Sequence, residues 1–331
     1  MQKRITFIGT GAWASGLATV LTKNNHFVTM WGIDQKEIDD INNGLNTKYF
    51  GNSKFNNPNL LQATNDLKKA LEGTDLIVLA VPSAAFDSVI PKILENSDSK
   101  KLNILNVAKG IDSKTKKFFS EVIKKEFGNR LENCATLIGP SFAVEVFQNV
   151  MTMANIVGIN QIFLEWVAAL FNNNKFKLVI NTNEQGAELF AALKNVLAIG
   201  LGINQYSNPN LKNPQAALLS IGVKEINKIY KALFEKADDE IAFDLAGIGD
   251  IFLTCSSEKS RNFSFGLQVG EYGVRKALEM NTKTVEGYRT ANIFKSILKD
   301  LKIHVPFFEN IIDVLFNNKP QSELLDFINK Y

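Results

Sequence analysis

The chain has 331 residues, 45% of them hydrophobic and 21% charged, with a formal net charge of +3. That balance suits an ordinary soluble chain of about two domains, and the spread-out charge lacks the basic patch that nucleic acid or an anionic membrane would need. Two cysteines, Cys134 and Cys255, and two isolated histidines supply neither a disulfide framework nor metal-ligand spacing, so no metal is expected and a reducing, cytoplasmic setting fits.

The opening MQKRITFIGTGAW runs directly into a strand and a glycine turn, without a signal-peptide pattern. Arg4 to Gly9 reads as a short strand, followed by the helical SGLATVLTKNN; His26 to Gly32 reads as a second strand. Asp75 to Pro82 and Leu102 to Ala108 read as strands buried on both faces; CATLIGP, VMTMANIVG and Lys175 to Asn181 complete the set. Strands alternating with helices predict an α/β fold with a mainly parallel sheet. After about Asn181, helical spacing takes over in GAELFAALKNVLAIGLG, PQAALLSIGVKEINKIYKALFEK, SFGLQVGEYGVRKALEM and TANIFKSILKDL. The boundary is therefore set near Thr182, giving residues 1–181 to the α/β domain and 182–331 to an all-helical one. Within the second lies Leu189 to Ile203, an aliphatic run interrupted by Lys194-Asn195. It is shorter than the roughly 20 apolar residues that membrane insertion requires. Either the lysine stem lies along apolar surface with its head in water, or the ammonium is buried for a purpose.

Gly9-Thr10-Gly11-Ala12-Trp13-Ala14 follows a strand and opens a helix, the setting in which a glycine turn binds a dinucleotide. Gly9 permits the tight turn, Gly11 lets backbone approach a pyrophosphate, and the small Ala14 lets helix and strand pack closely. Asp34, after the second strand, stands where an acid would meet the adenosine ribose; capping the following helix is the competing role.

Further motifs in order are VTMWGID, NTKYF, TNDL, VPSAAF, AKGID, IGPSFAVE, GAELFAALKNVLAIG, LAGIGDIFLTC, SRNFSFG and VEGYRTA. Together they resemble the bacterial-type NAD(P)-dependent glycerol-3-phosphate dehydrogenases over almost the whole chain. The resemblance implies a Rossmann-like N-terminal domain and a helical C-terminal one. It implies hydride transfer between the nicotinamide and dihydroxyacetone phosphate or sn-glycerol 3-phosphate, the latter a precursor of membrane phospholipids. It also leaves room for a homodimer.

On that resemblance Lys194 is the catalytic lysine and Asp250 its carboxylate partner. Burial and the carboxylate would then act on the amine in opposite senses. Lys109, just after a strand, would polarise the carbonyl or touch substrate oxygens and border the cofactor. Ser260-Arg261-Asn262 would hold the substrate phosphate, with Arg261 also reaching the cofactor and Thr254 and Asn195 as polar walls. Gly139 and Ser141 are expected on the substrate, and Ala143, Thr284 and Glu286 on the cofactor. Gly9, Gly11, Ala12, Trp13 and Ala14 of the glycine turn, with Ile33 and Asp34 beside the adenosine ribose, complete the cofactor set.

Departures from the family bear on specificity. Ala14 replaces the usual third glycine. Ile33 stands where many members have a basic residue or His, which leans the reading toward NAD over NADP, although Lys36 could compensate. Asn204 to Leu218 replaces a normally glycine-rich loop. A hydroxy-acid or ketopantoate-type dehydrogenase and a catalytically silent nucleotide sensor are the competing readings. The SRN segment opposes the first, and the lysine–aspartate pair opposes the second.

Overall fold

A computed structural model describes residues 1–209, 211–281 and 285–330. Among these, the strands are β1 (Arg4–Ile8), β2 (Phe27–Trp31), β3 (Leu61–Thr64), β4 (Leu76–Leu79), β5 (Leu102–Asn106), β6 (Leu131–Ile138), β7 (Thr152–Val157) and β8 (Phe176–Asn181). They form one sheet in the order β3-β2-β1-β4-β5-β6-β7-β8. All neighbours are parallel except β6 and β7, which pair antiparallel through Thr136 with Val157 and Ile138 with Asn155. A mainly parallel sheet is therefore present, and the helical texture after it is also as expected from the sequence.

Both faces of the sheet are covered. Ile5, Phe7, Val28 and Met30 pack with Leu17 and Leu21 of the helix Ala12–Lys23 on one face. Ile8, Ile77 and Leu79 pack with Phe86, Ile90 and Ile123 on the other. Burial on both faces explains why β4 reads as an uninterrupted apolar run, LIVL. β1 pairs with both β2 and β4, so the strand order reverses there; in open parallel sheets ligands bind beyond the carboxyl ends of strands at such a point.

The chain divides into two compact units: Met1–Asp112 with Lys117–Glu184, and Ser113–Lys116 with Gln185–Tyr331. The sheet belongs to the first. In the second, the regular elements of the described residues are helical, and the long helix Glu184–Ser207 forms their centre. Its Leu189, Phe190, Val196, Leu197 and Ile199 have no exposed surface. Glycines let its neighbours approach. A Cβ on Gly222 of the helix Lys212–Leu233 would lie 2.3 Å from Leu197 Cδ1, and one on Gly202 would lie 2.2 Å from the Phe263 carbonyl oxygen.

Two expectations need correction. The aliphatic run around Lys194 belongs to a helix of 24 residues, long and apolar enough to cross a bilayer by length and composition, but its apolar window is entirely buried inside the protein. Residues 204–218 are mostly not a loop: helix continues to Ser207 and resumes at Lys212, where Pro214 is tolerated in the first turn, which has no intrahelical bond to lose. Asn210 lies outside the described residues.

Candidate functional site

In the second unit, Lys194 is 5% exposed and Asp250 2%. The amine Nζ lies 2.5 Å from Asp250 Oδ1 and donates to Thr254 Oγ1 at 3.0 Å. The buried-ammonium alternative is therefore the one realised; the side chain does not run out to water. Asp250 and Thr254 present their groups together because they stand four residues apart on the short helix Asp250–Cys255. The wide turn Leu245–Gly249 leads into that helix. Within it Gly247 departs from helical geometry (φ −88°, ψ −111°), and a Cβ there would lie 2.1 Å from the Ile241 carbonyl oxygen. Only glycine fits that approach. Such irregular turns recur at functional sites.

Beside the lysine, Asn195 Oδ1 accepts from Asn262 Nδ2 at 2.9 Å, and Asn262 Oδ1 accepts from the Gly287 amide at 2.9 Å. One buried amide thus joins three helices: Glu184–Ser207, Arg261–Met280 and Glu286–Leu301. Ser260 caps the second of these, its Oγ accepting from the Phe263 amide at 3.4 Å, while Arg261 is exposed at the first helical position. Glu286 is half-buried at the start of the third; Thr284 lies outside the described residues. Cys255 donates from Sγ to the Lys194 carbonyl oxygen at 3.8 Å. Burial pushes its thiol up, outweighing the pull of Lys194, so it remains a protonated packing residue.

In the first unit, Gly9 has φ +126°, and a Cβ there would lie 2.6 Å from the Ala80 carbonyl oxygen. Its amide donates to the Trp31 carbonyl, so the turn is tied to β2 and pressed against the end of β4. Over Gly11, by contrast, a Cβ would meet nothing within 4 Å. Gly11 precedes the helix Ala12–Lys23 and offers it no side-chain cap, so the open space lies beside an uncapped helix start. Open room at an uncapped helix start fits the pyrophosphate of a dinucleotide. Ala14 is buried in the core. Ile33 is 87% exposed, and Asp34 caps the helix Gln35–Asn42 by accepting from the Lys36 amide at 3.0 Å. The competing role considered for Asp34 is thus filled.

Lys109 is half-buried and donates from Nζ to the Gly139 carbonyl at 3.1 Å; Ser141 Oγ donates to the same oxygen at 3.2 Å. Ala143 opens the short helix Ala143–Phe147, which packs so closely on the glycine-turn helix that a Cβ at Gly16 would lie 3.2 Å from the Ala143 carbonyl oxygen.

Two features escaped the sequence reading. Asn106, fully buried at the end of β5, accepts from the Ala108 amide and donates to the Ala108 carbonyl, both at 3.0 Å, and so shapes the backbone that launches Lys109. Its signal was an amide closing the apolar run LNILN. Glu37, 8% exposed, accepts from the Thr10 hydroxyl of the glycine turn at 2.5 Å and pairs with Lys48. Among the described residues, no cluster of three or more His, Cys, Asp or Glu is placed to hold a metal.

Residues 4–162 match the model for the N-terminus of NAD-dependent glycerol-3-phosphate dehydrogenase, and residues 183–326 match that for its C-terminus. The chain belongs to this family. It is 42% identical to glycerol-3-phosphate dehydrogenase [NAD(P)+] of Malacoplasma penetrans over 95% of this chain and 93% of that one. With the enzyme of the same name from Mesoplasma florum it shares 38% identity over 98% and 97%. The crystal structure of the glycerol-3-phosphate dehydrogenase of Coxiella burnetii superposes with a TM-score of 0.86 at 28% identity, covering 100% of this chain and 99% of that one. As a family member the chain is an NAD(P)-dependent oxidoreductase.

Proposed function

We propose that the chain interconverts dihydroxyacetone phosphate and sn-glycerol 3-phosphate, with NAD as its cofactor and Lys194 as its acid and base. The observation that carries this reading is the buried ion pair of Lys194 with Asp250, held further by Thr254. With its pyrophosphate held at the glycine turn, the reduced cofactor would supply the hydride for the carbonyl carbon. Lys194 Nζ then gives a proton to the carbonyl oxygen as the alkoxide develops, and takes one back in the reverse direction. Asp250 balances the ammonium and aims it; Asn195 and Asn262 hold the helix backbone around it. Lys109 contributes a second cation toward substrate oxygens, and Arg261 offers a planar guanidinium to the phosphate at a helix N-terminus. A cytoplasmic enzyme that supplies glycerol phosphate for phospholipids is the physiological role this chemistry suits.

The test is cofactor oxidation followed by absorbance, comparing dihydroxyacetone phosphate with unphosphorylated dihydroxyacetone and a 2-keto acid. The phosphorylated ketone should be strongly preferred. Lys194→Ala should lose turnover by at least about a hundredfold, the usual worth of a positioned acid, while still binding NADH. Equal rates on all three ketones, or turnover that survives the substitution, would overturn the reading.

A further inference from the structure

At the end of β2 one ammonium is held between two carboxylates. Lys48 Nζ is ion-paired with Glu37 Oε1 and lies 3.9 Å from Asp34 Oδ2. Lys48 is largely exposed, but Glu37 is buried, and its other oxygen takes the Thr10 hydroxyl inside the glycine turn. Tyr49 adds a longer donation to Glu37 Oε1 at 3.4 Å.

We propose that this Glu37–Lys48–Asp34 bridge makes the chain select NAD over NADP, with Glu37 the residue that decides. The inference rests on the dinucleotide reading of the glycine turn and deepens it. In a Rossmann-like unit the acid after the second strand faces the adenosine ribose, which is where NADP carries its extra phosphate. A phosphate dianion there needs a cation, and Lys48, 3.9 Å from Asp34, is an ammonium already ion-paired with Glu37. Releasing it would strand the buried carboxylate of Glu37, and an uncompensated buried charge is strongly unfavourable. Lys48 is thus committed, not merely adjacent. Lys36, the other cation of this segment, lies within electrostatic reach of Asp40. From residue 34 to residue 48 the sequence carries four carboxylates (Asp34, Glu37, Asp39, Asp40) against two ammonium groups (Lys36, Lys48), so the local field repels a further dianion. Ile33, 87% exposed, brings no charge of its own.

Calorimetric titration of the full chain with NADH and NADPH tests this without turnover. Wild type should bind NADH at least about tenfold more tightly, the scale of one charged contact near a surface. Glu37→Gln frees Lys48 and should lower the NADH-to-NADPH preference by roughly fivefold or more. Adding Lys48→Met to that variant should restore the preference, because the gain runs through the freed ammonium. If Glu37→Gln does not fold, Asp34→Asn, at an exposed position, must lower the preference in the same sense. Equal wild-type affinities, a preference unmoved by these substitutions, or a gain that persists without Lys48 would each overturn the proposal. Failure of wild type to bind either nucleotide would instead overturn the dinucleotide reading, and this inference with it.

Discussion

A cation inside an aliphatic helix marked Lys194 as unusual, but the run alone left a solvent-reaching stem and a buried ammonium both open, and only the motif resemblance favoured the second. Its partner, 56 positions away by number at Asp250, came from motif resemblance, since periodicity says nothing about which helices meet. Less legible was how the SRN triplet divides its work. Ser260 spends its hydroxyl on a helix cap, and Asn262 spends its amide on Asn195 and Gly287. Arg261, exposed at the helix start, is the member proposed to meet the phosphate. Its loss removes charge-assisted hydrogen bonds worth about 1.5–3 kcal/mol. Arg261→Ala should therefore raise KM for dihydroxyacetone phosphate about tenfold or more, while the slow reduction of unphosphorylated dihydroxyacetone stays the same. Steady-state kinetics on both ketones decide it; an unchanged KM for the phosphorylated one removes Arg261 from the phosphate site.

Elements were legible where pattern alone defines them. Seven strand runs stand out by apolar content and length, but β3 is a four-residue edge strand, too short for a pattern, and nothing in the β7 run encodes that it lies antiparallel to β6. Helix crossings were hidden for a related reason: a glycine in a helical run does not name its neighbour. Gly202 and Gly266 are such a pair. Their helices, Glu184–Ser207 and Arg261–Met280, approach so closely that a Cβ on Gly266 would lie 2.2 Å from the Ile199 carbonyl oxygen. Backbone cannot yield there as a flexible side chain would. An alanine gains about 1 kcal/mol in helix propensity, yet overpacking at such a contact costs about 1–3 kcal/mol or more. Gly266→Ala should consequently lower the denaturant midpoint, and it should disturb turnover because the same helix carries Arg261 and Asn262. A midpoint equal to or above that of wild type would show that the crossing relaxes freely.

At the scale of the whole molecule, the change from strand to helix texture near Thr182 lies close to the division of the compact units at Glu184 and Gln185. That Ser113–Lys116 groups with the second unit has no counterpart in composition. Nor could sequence show that the stability of the fold carries a titration near neutrality. Glu225, on the helix Lys212–Leu233, is 4% exposed and accepts from the amides of Phe307 and Phe308 at 3.0 and 2.9 Å, capping the helix Pro306–Phe316. Burial pushes its carboxyl up from 4.5 to about 7, against the opposing pull of the two amides; Glu309 adds to the rise and His304 opposes it. Below pH 4.5 both folded and unfolded chains hold the proton, and the group contributes nothing. Between 4.5 and about 7 the folded chain keeps a proton that the unfolded chain releases, so stability falls as pH rises, and above that range the full penalty persists. The penalty is on the order of 3 kcal/mol. Glu225→Gln cannot ionise, though its amide group leaves one of the two helix amides without an acceptor, a fixed cost of about 1 kcal/mol. Denaturation of both proteins at pH 5 and pH 8 separates the effects. Wild type should lose more stability than the variant across that interval, so that the variant is the weaker at pH 5 and matches or exceeds wild type at pH 8. Parallel losses in the two proteins would mean that Glu225 keeps an ordinary carboxylate titration and that its burial is fully compensated by the helix it caps.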